Sequence, residues 1–86
     1  MSPAISSALN LELLTIVPPP GFKIPNISGF IRERRRLGIG LERAADLLGI
    51  PPIELAAVER GKRVFLNAEA VELAIGLLRE SQEIGD

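Results

Sequence analysis

The chain contains no cysteine and no histidine. Without cysteine, no disulfide can staple the fold and no thiolate can serve as nucleophile or metal ligand. Without histidine, the commonest general base near neutral pH and a leading zinc ligand are both missing. Tryptophan and tyrosine are absent as well, and aromatics amount to 3% against 47% hydrophobic residues. The core must therefore be aliphatic, built from Leu, Ile, Val and Ala. No apolar run approaches the roughly 18 residues that a membrane span needs. Met1 to Val17 has no basic start, and Asn10 and Glu12 interrupt its apolar stretch, a poor match to a secretory signal. The absences point to a cytoplasmic protein with no cofactor, no metal site and no membrane contact. Eighty-six residues suit one small domain with a modest core and a thin stability margin.

Catalysis is not expected either. No nucleophile stands with a base. Carboxylates such as Glu69 and Glu72 read as the solvated surface of a helix. The "GIG" of Gly38 to Gly40 is too short for a phosphate loop and reads as a helix stop.

Net charge is −1, which by itself does not suggest a nucleic-acid partner. Its distribution is more informative. Between residues 32 and 63, eight cations (Arg32, Arg34, Arg35, Arg36, Arg43, Arg60, Lys62 and Arg63) stand against five carboxylates. From 64 to 86, Arg79 alone stands against five. The middle is mildly basic and the tail acidic.

"VPPPGFKIP", Val17 to Pro25, is the clearest boundary, because consecutive prolines forbid helix and favour a stiff extended connector. It divides residues 1–25, an extension and Pro-rich linker able to serve as a dimerisation arm, from a domain over 26–86. Ahead of the prolines two readings compete. Ile5, Ala8, Leu9, Leu13, Ile16 and Val17 fit a helical stripe. Leu9, Leu11 and Leu13 alternating with Asn10 and Glu12 fit a strand. The β-branched run Thr15, Ile16, Val17 and the lack of a helix cap favour the strand. A lone strand in a helical domain has no partner within the chain, so its backbone would pair with the same strand of a second copy.

Beyond the linker the signals are helical. Asn26 or Ser28 can cap a helix to about Leu37, with Phe30, Ile31, Arg34 and Leu37 on one face and Gly38 as its stop. A second helix covers about Leu41 to Leu48, facing Ala44, Ala45 and Leu48 inward, with Gly49 as its left-handed cap. A third opens on Pro52, runs to about Arg60 and ends at Gly61, with Leu55 and Val58 inward. Asn67 caps a fourth, from Ala68 to about Glu83. That helix carries two apolar stripes. One is Val71, Ala74, Ile75 and Leu78, and beside it lie Ala70, Leu73, Leu77 and Ile84. A stripe this wide asks for two burial partners, the second being the N-terminal segment or another subunit.

"LERAADLLGIPPIELAAVERGKR", Leu41 to Arg63, is two short helices joined by a tight turn. From about Phe30 to Leu78 the chain resembles the Xre/phage-repressor (lambda repressor/Cro-type) helix-turn-helix family. Ala45 sits where close helix packing needs a small residue, Gly49 at the turn, and Ile50 as the apolar plug after it. Leu55 and Val58 anchor the third helix, and "ERGKR" matches the motif that ends it. Arg34 falls where the family has a first-helix arginine paired with a glutamate, here Glu59. The residues alone agree. Glu59 follows Leu55 on an inward-turned side, where an unpaired carboxylate is costly, and Arg34 can supply a bidentate partner.

The resemblance implies an all-α, four- or five-helix repressor-like domain, with the N-terminal extension added to it, that binds double-stranded DNA as a homodimer. The base-facing positions it marks are Leu41, Pro52, Ile53 and Ala57. None carries the donors and acceptors of direct readout, although Ile53 can meet a thymine methyl group. Glu54 would repel phosphate, and Pro51 replaces a hydroxyl cap. Phosphate contacts are better supplied, by Arg43, Arg60, Lys62 and Arg63, with Arg34 able to lend an N–H. Arg32, Arg35 and Arg36 point in several directions around the first helix. Two functions follow. One is a small DNA-binding regulator or antitoxin-like protein gripping mainly phosphates. The other is a protein-interaction module that keeps the fold without base reading and presents Leu41, Leu47 and Ile53 as an apolar patch.

Overall fold

Among the described residues four helices form where apolar residues recur every three to four positions, and glycine closes the first three. The computed structural model describes residues 13–85, with side chains as far as residue 82. In chain order the elements are β1 (Thr15–Ile16), α1 (Ser28–Arg36), α2 (Leu41–Leu48), α3 (Pro52–Glu59), β2 (Val64–Phe65) and α4 (Ala68–Gly85). The expectations that concern residues 1–12, and the Ile84 side chain, lie outside what is described.

The helix ends follow local chemistry. Asn26 Oδ1 accepts the Ser28 amide at 2.9 Å just ahead of α1. Asn67 Oδ1 accepts the Ala70 amide at 2.8 Å and so satisfies one of the orphan donors at the start of α4. After α2 the Gly49 amide bonds Asp46 O and the Ile50 amide bonds Ala45 O. This paired closure requires the left-handed backbone that Gly49 adopts at φ 76°. The closures after α1 and α3 repeat it with Gly38 and Gly61.

The core is aliphatic around two rings. Phe30 of α1 and Phe65 of β2 are both fully buried. Their centroids lie 6.4 Å apart, edge to face. Leu13, Ala44, Ala45, Leu48, Leu55, Val58, Ala74 and Leu78 complete the interior. α4 is the central support, packing on α1, α2 and β2, while α2 and α3 pack on each other. Its first stripe is buried. Leu73 and Leu77 of the second are half-buried against the same core, so this chain already covers much of that stripe.

The N-terminal segment departs from expectation. The strand is Thr15–Ile16, and its partner lies within the chain. It runs antiparallel to Val64–Phe65, with Thr15 opposite Phe65 and Ile16 opposite Val64. The architecture is therefore mostly helical with a small two-stranded sheet, and this strand needs no second copy. Nor does the division at residue 25 separate this segment from the domain, because Leu13 and Thr15 are both buried in it.

The charged run "RERRR" also hides a structural residue. Glu33 is buried. It accepts from Arg36 Nε and Nη2 within α1, at 3.1 and 2.6 Å, and from Arg79 Nε of α4 at 2.8 Å. The hydrogen bonds from Arg36, then from Arg79, hold its carboxyl down at about 2, against an ordinary 4.5. A depressed carboxyl stabilises the fold in full above the unfolded value and loses that contribution as pH falls through the folded one. Acid denaturation should accordingly show a stability loss between pH 4.5 and about 2 that Glu33→Gln flattens. Equal slopes for the two proteins across that window would contradict the assignment.

Candidate nucleic-acid interface

The candidate surface is the outer side of α2, its turn and α3. Leu55 and Val58 are buried, so the opposite side of α3 faces out. Pro52 is exposed there, Ile53 is 80% exposed, and Ala56 and Ala57 are partly covered. Leu41 and Leu47 of α2 are half-buried and pack against the core. Of the apolar patch Leu41, Leu47 and Ile53, only Ile53 stands fully bare.

Around this face are cations. Arg43 on α2, and Arg60 and Lys62 at the end of α3, are exposed. None of the ion pairs found among the described residues engages them. Their position after Glu59 follows from the Gly61 closure, in which the Lys62 amide returns to Ala57 O at 2.8 Å. α2 also exposes Glu42 and Asp46, so its cationic character rests on Arg43 alone.

Comparison with protein-family models, curated proteins and solved structures returns no match. The chemistry of this surface has to be read from its own residues.

Arg34 is bound into the structure. Its Nε and Nη2 donate to the two Glu59 oxygens, each at 2.8 Å, and its Nη1 donates to the Ile39 carbonyl at 3.0 Å. The two side chains are 14% and 15% exposed. All three guanidinium nitrogens thus have internal acceptors, which ties α1 and the loop after it to the end of α3.

Arg63 and Glu54 have a use that the sequence reading did not assign to them. Arg63 was expected on phosphate. Instead its Nε donates to Thr15 Oγ1 at 2.9 Å and its Nη2 to the Thr15 carbonyl at 2.7 Å. Glu54 was expected to repel phosphate. Its Oε1 accepts the Thr15 hydroxyl at 3.1 Å. The signal that could have shown this is the buried side of β1 itself. A threonine hydroxyl there needs polar partners, and the nearest in the fold are Arg63 and Glu54. Among the described residues no cluster of carboxylates is gathered to hold a metal ion, and no helix is long and apolar enough to cross a membrane.

Proposed function

We propose that this protein binds double-stranded DNA through a repressor-like helix-turn-helix formed by α2 and α3, as a small transcriptional regulator or antitoxin-like protein. The observation that carries this reading is the set of exposed cations, Arg43, Arg60 and Lys62, that no ion pair among the described residues engages, on and just after the two helices that also expose Pro52 and Ile53. Such cations supply affinity and register through phosphate, while Ile53 reads at most a thymine methyl group and the local groove shape. Sequence preference is therefore low. A homodimer doubles a grip that three contacts leave weak, and it does so with two half-sites about one helical turn apart.

Salt dependence tests the reading. Three phosphate contacts per protomer, six in the homodimer, give a log–log slope of about −5.4, on the order of 10³-fold in affinity between 50 and 200 mM salt. Lys62→Ala should weaken binding to every sequence alike and make the slope shallower by about 1.8, or 0.9 for each protomer. Ile53→Ala should change little. A complex that is indifferent to salt, or that discriminates single base changes by about 1–3 kcal/mol each, would refute phosphate-dominated binding.

One observation favours a protein partner instead, the 80% exposure of Ile53. A large aliphatic side chain held bare on a rigid helix is a natural anchor for an apolar pocket. On that reading Ile53→Ala abolishes a protein complex and Lys62→Ala is mild, so the same two variants separate the alternatives.

A further inference from the structure

The first turn of α3 has no side-chain cap. Pro51 stands at the cap position and Pro52 opens the helix, and neither offers a hydroxyl or carboxylate to the orphan amides. This turn carries Ile53. Besides the buried Leu55, it is held to the rest of the fold by a side-chain hydrogen bond to Thr15, which is 2% exposed. The Thr15 hydroxyl accepts from Arg63 Nε and donates to Glu54 Oε1, while Arg63 Nη2 holds the Thr15 carbonyl. One hydroxyl thus joins β1, the first turn of α3 and the residue that leads into β2. Because the hydroxyl is shielded from water, these bonds are stronger than they would be at the surface.

We propose that Thr15 is a positioning residue for the α3 surface, bracing its first turn through Glu54 where a cap is missing, and that Arg63 acts through Thr15 rather than on phosphate. The inference rests on the DNA-binding reading of α3. It makes β1 part of the recognition unit. The strand holds α3 in place, and with it the Arg60 and Lys62 that follow, without touching DNA.

Thr15→Val keeps the shape and β-branching and deletes only the hydroxyl. Two readouts follow on the full chain. In hydrogen exchange, the amides of Glu54 and Leu55, both bonded to Pro51 O, should exchange about fivefold faster, the factor that one net hydrogen bond represents. The amides of Ala74 and Leu78 in α4 should keep their wild-type rates. Affinity for a mixed-sequence duplex should fall by a similar factor with the salt slope unchanged, and Thr15→Ser should restore both. Arg63→Ala should likewise weaken binding at an unchanged slope. A Thr15→Val protein with wild-type exchange at Glu54 and Leu55, or with faster exchange and wild-type affinity, would overturn the proposal. A slope shallower by about 0.9 per protomer in Arg63→Ala would place that arginine on phosphate and overturn its part. If the wild-type chain binds no duplex at any salt, the DNA reading is what has failed, and the exchange measurement still decides the brace.

Discussion

Replacing Glu59 with alanine is expected to remove about 3 kcal/mol of folding stability, because it leaves the Arg34 guanidinium largely buried without its carboxylate. The lower end of the range for buried pairs applies because each side chain keeps some exposure, 14% and 15%. For a domain of this size that loss lowers the melting temperature by roughly 12–24 °C. Two bonds of 2.8 Å are lost together, and the third, from Nη1 to Ile39 O, cannot compensate the charge. Arg34→Ala should cost at least as much, since it strands Glu59 and also empties the Ile39 carbonyl. The double replacement Arg34→Met, Glu59→Leu should recover most of the loss, because no charge is then left unpaired. Thermal denaturation of the four proteins decides the matter. A Glu59→Ala protein melting within a couple of degrees of wild type would show that the pair is incidental to the fold.

Leu13→Ala should destabilise the protein by about 2–5 kcal/mol, the range for emptying a buried leucine site. Leu13 is completely buried and sits two residues before the Thr15 that pairs with Phe65. The cavity therefore opens where the small sheet meets the helical core. The upper half of that range is expected, because β1 has only two residues and little ladder to hold it once its apolar anchor is gone. Leu14, on the opposite side of the strand and 48% exposed, is the control. Leu14→Ala should shift the urea midpoint little. Equal midpoints for Leu13→Ala and wild type would return residues 13–17 to the status of a dispensable arm.

The helices and most of their ends were legible because their causes are local; at the start of α1, Ile27 holds the cap position without a side-chain cap, in place of Asn26 or Ser28. Gly49 and Gly61 terminate helices wherever they follow a stripe, and Asn67 caps whatever helix follows it. The resemblance set Arg34 and Glu59 against each other, and their spacing to Phe30 and Leu55 agreed with it. What escaped reading was long-range. β2 is a two-residue strand between Gly61 and Asn67, too short to show a period, so β1 seemed to lack a partner. Glu33 lay hidden in a run of charges, and its second cation, Arg79, is 46 residues away. The use of Arg63 and Glu54 depends on a register that neither residue's neighbours announce. For the surface around α3, sequence could name cations and apolar positions. It could not say which of those cations the fold would keep for itself.

The ladder between β1 and β2 also has a temporal side. Thr15 is made 48 positions before its Arg63 partner, and of the helices in the interval α2 and α3 pack on each other. Bringing those ends together carries the entropy of a long loop, a cost that rises only slowly with length but must be met before the contact returns anything. As the chain leaves the ribosome, Leu13 therefore waits in water until Val64 and Phe65 have emerged and α4 has begun to form beneath them. Of the described elements the strand is the first made and is expected to be among the last to dock. Changes at Leu13 or Thr15 should consequently act on how fast the native state comes apart more than on how fast it is reached.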